Sequence, residues 1–153
     1  MGIYNKTVTV RHSPDEMFEL VADIKRYPDF VRWIKSLRLK EEREEEGVHH
    51  CLAQTMIGFK GFTEFFSTRV SADKTNRQII VDLERGPFRK LHNKWTMTPT
   101  ETGGTNVSFH IDYAFSNPVL RVLAAANFDL AVDRIMKSFL DEADRRYGRD
   151  QAS

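Results

Sequence analysis

The chain has a single cysteine, Cys51, so it cannot close an internal disulfide, and a reducing compartment is its natural setting. It lacks any apolar run of membrane-spanning length, and its opening residues Met1 to Lys6 lack the apolar core of a secretory signal. A cytoplasmic location is expected. Charge of one sign is lacking as well: 23 Lys and Arg stand against 22 Asp and Glu, for a net charge of +1. With no overall field to hold phosphates, DNA is not expected as a partner, and nucleic acid in general is a secondary reading. The adjacent histidines His49 and His50 would point to opposite faces of a strand, so they do not make a two-ligand metal site, and no metal is expected. Cys51 has no local nucleophile motif and reads as a small buried hydrophobe.

What is present is the composition of a globular domain. Of the 153 residues 41% are hydrophobic and 29% charged, which excludes both disorder and a membrane-embedded body. One domain over residues 1–148 is expected, followed by a frayed tail at 149–153. Near the start, β-branched Thr7, Val8, Thr9 and Val10 predict a strand over residues 3–11. Ser13-Pro14-Asp15-Glu16 then supplies a capping hydroxyl, a proline for the first helical position and an acidic first turn ahead of Met17, Phe18, Leu20, Val21 and Ile24. Pro28 interrupts that helix, and residues 29–33 form a second short helix or turn.

From residue 34 to 115 strand-length segments alternate with breaks at 41–47, 58–61, 73–76, 86–87 and 99–104, which delimits about six antiparallel strands. The clearest alternation is Val107, Phe109, Ile111, Tyr113 and Phe115 against Ser108, His110, Asp112 and Ala114. The acidic run at 41–46 reads as a solvated hairpin. After the cap Asn117-Pro118, a helix is expected to run to Tyr147 and stop at Gly148, with Leu120, Leu123, Ala124, Phe128, Ala131, Val132, Ile135, Phe139 and Ala143 as its apolar stripe. Only the sheet is large enough to cover that stripe.

The order strand, two short helices, six-strand meander, long helix is the pattern of the START-like helix-grip fold, and the residues sharpen the likeness. The stretch Val21 to Trp33, reading VADIKRYPDFVRW, resembles the signature of the coenzyme Q-binding branch of that superfamily. Residues Ile57 to Phe62 are similar to its central hairpin, and Gly86 to Leu91 with Trp95 to its later strand pair. Relatives in this branch include ribosome-association toxins and the broad polyketide cyclase/dehydrase-like proteins. The resemblance implies an α+β fold in which a curved sheet of about seven antiparallel strands wraps a long C-terminal helix. It also implies non-enzymatic binding of ubiquinone or a related polyprenyl lipid, held as a ligand with no separate cofactor, in support of respiratory electron transport. A ribosomal subunit is the alternative partner, and a cyclase or dehydratase activity a third reading.

A helix laid across a curved sheet can leave an apolar gap, and the residues expected to line it are Phe30, Trp33, Phe62, Phe66, Trp95, Phe109, Tyr113, Leu123, Phe128, Ile135 and Phe139. A quinone headgroup offers only acceptor oxygens, so it asks for a few donors, for which Trp33, Tyr113, His92 and Trp95 are candidates. The acid/base set His110, Asp112 and Glu64 would serve an enzyme, but alternation puts His110 and Asp112 opposite the aromatic face. The Pro28 region and the 58–61 turn are expected to gate the gap during transient contact with a membrane, at the inner face of a respiratory membrane if ubiquinone is the ligand.

Overall fold

Alternating burial along the first strand, β1 (Gly2–Val10), follows directly from its period-two pattern. The computed structural model describes residues 2–59 and 61–148, without the side chains of Phe59, Phe62, Leu120 and residues 123–127. The tail at 149–153 lies outside the described residues. Helix α1 (Pro14–Ala22) opens with a complete capping box: Glu16 N–H donates to the Ser13 hydroxyl at 3.1 Å, and Ser13 N–H donates to the Glu16 carboxylate at 2.9 Å. A 3-10 turn (Ile24–Arg26) leads into α2 (Tyr27–Phe30). Pro28 was expected to interrupt a helix, yet it sits in the first turn of α2, where a missing N–H costs no hydrogen bond.

The meander supplies β2 (Ile34–Glu45), β3 (Val48–Phe59), β4 (Phe62–Asp73), β5 (Gln78–Arg85), β6 (Phe88–Pro99) and β7 (Thr105–Phe115). The seven strands are ordered β1-β7-β6-β5-β4-β3-β2, every neighbouring pair antiparallel. The break expected across 41–47 shrinks to two residues. Strand β2 runs on through the acidic stretch to Glu45, and Glu46 and Gly47, both at positive φ, make the turn to β3. Exposed carboxylates are tolerated there because β2 is an edge strand whose outer end buries nothing. A bulge between Lys40 and Arg43 bends it.

Helix α3 (Pro118–Tyr147) is 30 residues long, capped by the Asn117 side chain at one end and by Gly148 at φ 89° at the other. At 1.5 Å per residue it spans about 45 Å, long enough to cross the whole concave face. Val132, Met136, Phe139 and Ala143 of α3 are buried with Met17, Leu20 and Val21 of α1 and with Ile79, Met97 and Val107 of the sheet. The stripe read from sequence is therefore the buried one over the C-terminal half, with Glu142 as an unexpected buried member.

Candidate functional site

One end of the sheet gathers four connections. Gly58 N–H donates to the Trp33 carbonyl at 2.9 Å, which ties the junction of α2 and β2 to the end of β3. Ser116 N–H donates to the Pro87 carbonyl at 2.9 Å, which ties the start of α3 to the β5-β6 turn. Gly86 lies against Phe66: a Cβ at that position would stand 2.5 Å from the Phe66 Cβ. These junctions make up one end of the sheet, the mouth end, where α3 begins.

From the mouth a ladder of rings runs inward. Phe66 meets Phe88 edge-on at 5.8 Å, Phe88 stacks on Phe115 at 4.6 Å, Phe115 meets Tyr113 at 5.8 Å, and Tyr113 stacks on Phe128 of α3 at 3.8 Å. Phe128 in turn meets Tyr4 of β1 at 6.5 Å. Deeper in, a second group interlocks. Trp95 packs on Phe109 at 4.9 Å and on Phe139 at 5.0 Å, and Phe139 packs on Phe30 at 5.1 Å and on Tyr27 at 5.0 Å.

The expected lining residues thus fall into two groups. Phe66, Tyr113 and Phe128 lie on the ladder, whereas Phe30, Trp95, Phe109 and Phe139 fill their space with one another. Ile135 packs against the core, and Trp33 is half-buried at the mouth. The side chains of Phe62 and Leu123 lie outside the described residues, as does Lys60 of the 58–61 turn. Two ladder members, Phe88 and Phe115, were not picked out as lining residues. Phe115 shares the alternation of Tyr113, a usable signal, but Phe88 follows a Gly-Pro turn and gives no periodicity to read.

Polar chemistry on this face is sparse. The Tyr113 phenol is buried, and its pKa is pushed up by that burial and, second, by Asp129, so it stays protonated and can donate. It makes no hydrogen bond among the described residues. Tyr4 is also pushed up, to about 12, by burial and by Asp133, to which it donates at 2.8 Å. Lys6 holds the same carboxylate at 2.6 Å.

His92, a candidate headgroup donor, has to be corrected. It pairs with Asp112 across β6 and β7, on the face opposite Tyr113, and its Nδ1 sits 2.5 Å from the Asp82 carboxylate. Single-residue alternation decides this: Trp95 faces α3, so His92, three positions away, faces out. His110 is on the same outer face at 2.6 Å from Asn5, and Asp112 pairs there with Lys90, while Glu64 shares the side of Phe66. The three cannot converge on one substrate.

The Cys51 thiol is buried and pushed up, chiefly by desolvation. Among the described residues no cluster of three or more His, Cys, Asp or Glu could hold a metal, and no helix is long and apolar enough to cross a membrane. Two clefts bounded by described residues lie elsewhere. One of about 310 Å³ is lined by Arg43, His50, Cys51, Arg69, Val70 and Ser71, and one of about 380 Å³ by Val10, Arg11, His12, Leu140 and Asp144.

Comparison with known proteins places this architecture. The family model described as polyketide cyclase / dehydrase and lipid transport matches residues 10–140. A ribosome association toxin of Rickettsia prowazekii is 29% identical over 139 residues, which is 89% of this chain and 92% of the relative. The mitochondrial coenzyme Q-binding protein of Schizosaccharomyces pombe is 21% identical over 141 residues, 92% of this chain and 85% of its own. Among solved structures, the 18 kDa protein of Caulobacter crescentus is 36% identical with a TM-score of 0.82, covering 97% of this chain and 100% of that one. The matched region takes in strands β2 to β7, α1, α2 and all but the last turns of α3, so the chain belongs to the START-like polyketide cyclase / dehydrase and lipid transport family, with its helix-grip fold.

Proposed function

We propose that this protein binds a hydrophobic small molecule without transforming it, and that the ligand is ubiquinone or a related polyprenyl lipid carried or chaperoned in support of respiratory electron transport. The observation that carries the reading is the aromatic ladder leading from the mouth end of the sheet to a protonated phenol, Tyr113, that makes no hydrogen bond among the described residues. A quinone ring is flat, electron-poor and equipped only with acceptor oxygens, so it would stack on such a ladder and accept a hydrogen bond from Tyr113.

In this reading the interlocked group of Trp95, Phe109, Phe139 and Phe30 is the floor, and the mouth half is where the helix parts from the sheet. Moving a prenyl tail from water into that space gains about 0.8 kcal/mol per methylene, while moving it from a bilayer gains almost nothing. Pickup and delivery are then nearly balanced, as a carrier requires. The name of the S. pombe relative supports this ligand, and the outward orientation of His92, His110 and Asp112 supports binding over catalysis.

Organic extraction of protein expressed in a quinone-producing host, followed by mass spectrometry, tests the proposal. Quinone in near-stoichiometric amount is expected, and absence of any prenyl lipid would overturn it. A second reading, association with a ribosomal subunit, is favoured by the name of the R. prowazekii relative. Failure to cosediment with ribosomal subunits at low salt would remove it.

A further inference from the structure

The mouth exposes large apolar side chains that a soluble surface gains nothing by presenting. Phe65 is 67% exposed at the β3-β4 hairpin, and Val119 and Val122 are 55% and 70% exposed on the first turns of α3, with Leu130 at 53% further along. Isolated exposed apolar residues need no explanation, but Phe65, on the convex face beside inward-facing Phe66, and Val119 and Val122 of α3 lie at the same end of the sheet.

Cations outnumber acids at this end. Arg32 and Lys35 are exposed beside the end of β3, Arg85 and Arg89 flank the β5-β6 turn, and Arg121 sits on the first turn of α3, its guanidinium 3.4 Å from the Phe115 carbonyl. Among the described residues none of these five has a carboxylate within 4.0 Å. Of the acids toward this end, Glu84 is engaged with Arg69, Asp112 with Lys90 and Asp29 with Arg26, while Glu64 and Asp129 make no ion pair among the described residues. The far end of the sheet has the opposite character, because residues 41–46 hold five glutamates and one arginine. The near-zero net charge therefore conceals an apolar end richer in cations and, at the opposite end, an acidic β2-β3 hairpin.

We infer that the mouth end docks on an anionic lipid bilayer, with Phe65, Val119 and Val122 entering the headgroup boundary and Arg32, Lys35, Arg85, Arg89 and Arg121 resting on lipid phosphates. RNA would satisfy the cations but would leave the exposed apolar residues in water, whereas a bilayer takes up both. The acidic hairpin points away and sets the orientation. This rests on the carrier reading, since it names the surface from which the mouth would load.

The test is flotation with vesicles of phosphatidylcholine alone and of phosphatidylcholine mixed with phosphatidylglycerol. Binding is expected only to the mixed vesicles. It should fall about fivefold for each cation neutralised, as in Arg89→Gln, and recede with added salt. Phe65→Glu and Val122→Glu alter exposed positions, so they should fold normally by circular dichroism yet lose flotation. Ubiquinone quenching of tryptophan fluorescence in vesicle-free solution should be unchanged in all three variants. Absence of flotation with retained quenching would overturn docking alone, and loss of quenching in the parent protein would overturn the carrier reading. Equal flotation of the Phe65 and Val122 variants would refute the assigned surface, and displacement by RNA with no dependence on those two residues would reassign it to a nucleic-acid contact.

Discussion

Replacing Glu142 with Gln tests how the floor of the site is held. Glu142 is 5% exposed, and it accepts from Arg145 Nε and Arg146 Nε, each at 2.8 Å. Arg146 then reaches Asp23 at 3.3 Å and lies 5.8 Å over the Phe30 ring, so the carboxylate anchors the 23–30 segment to α3. Its pKa is held down from 4.5 to about 2, first by Arg145 and then by Arg146, against the opposing effect of burial. At about 1.4 kcal/mol per pH unit that shift corresponds to roughly 3 kcal/mol at most. Arg145 is largely exposed and its share is screened, which brings the expected loss in Glu142→Gln to about 1–2 kcal/mol, or about 5 °C in Tm for a chain of this size.

Folding lowers this pKa, so the contribution is complete above pH 4.5 and disappears as pH falls toward 2, more than half of it by about pH 3. Thermal unfolding by circular dichroism at pH 7 and pH 3 should therefore show a gap between variant and parent that narrows on acidification. In a double-mutant cycle, Arg146→Met should cost less in the Gln background than alone. A gap that is absent at pH 7, or that widens at pH 3, would refute the assigned anchor.

Tyr113→Phe keeps the ring stacked on Phe128 and removes only the hydroxyl, so quinone affinity should fall about five- to tenfold while a headgroup-free prenyl hydrocarbon binds as before; fluorescence titration separates the two. Gly86→Ala places a Cβ 2.5 Å from that of Phe66 at a backbone φ of 155°, and should cost about 1–3 kcal/mol in urea unfolding. The Cys51 thiol, buried and pushed up by desolvation, should react with a disulfide reagent far more slowly than a free thiol at pH 8, and at the free-thiol rate once the chain is unfolded in guanidinium.

The fold was legible because each of its signals is local. Ser13-Pro14-Asp15-Glu16 names a helix start, Asn117-Pro118 and Gly148 bound α3, and the alternation through Tyr113 and Phe115 fixes which face of β7 meets that helix. The site was legible only in part. Alternation assigns Trp95 and Tyr113 to one face, but whether a neighbour's ring fills the space beside each is a property of three elements brought together. Trp95 turned out to be walled in by Phe109 and Phe139, and Tyr113 to stand on a ladder that runs to Phe66 near the end of the sheet. The same parity that places Trp95 inward places His92 outward, and that could have been read in advance. The burial of Glu142 could not, although Arg145 and Arg146, three and four positions on, stand at the spacing of helical ion pairs.

The most direct test of the account is a nuclear magnetic resonance titration of labelled protein with a short-chain ubiquinone. Saturable shifts are expected at Phe66, Phe88, Phe115, Tyr113 and Phe128, with Val107, Met136 and Ala143 in the packed half left unmoved. Shifts confined to the clefts around His50 or His12, or no saturable shift at any concentration the quinone reaches, would contradict it.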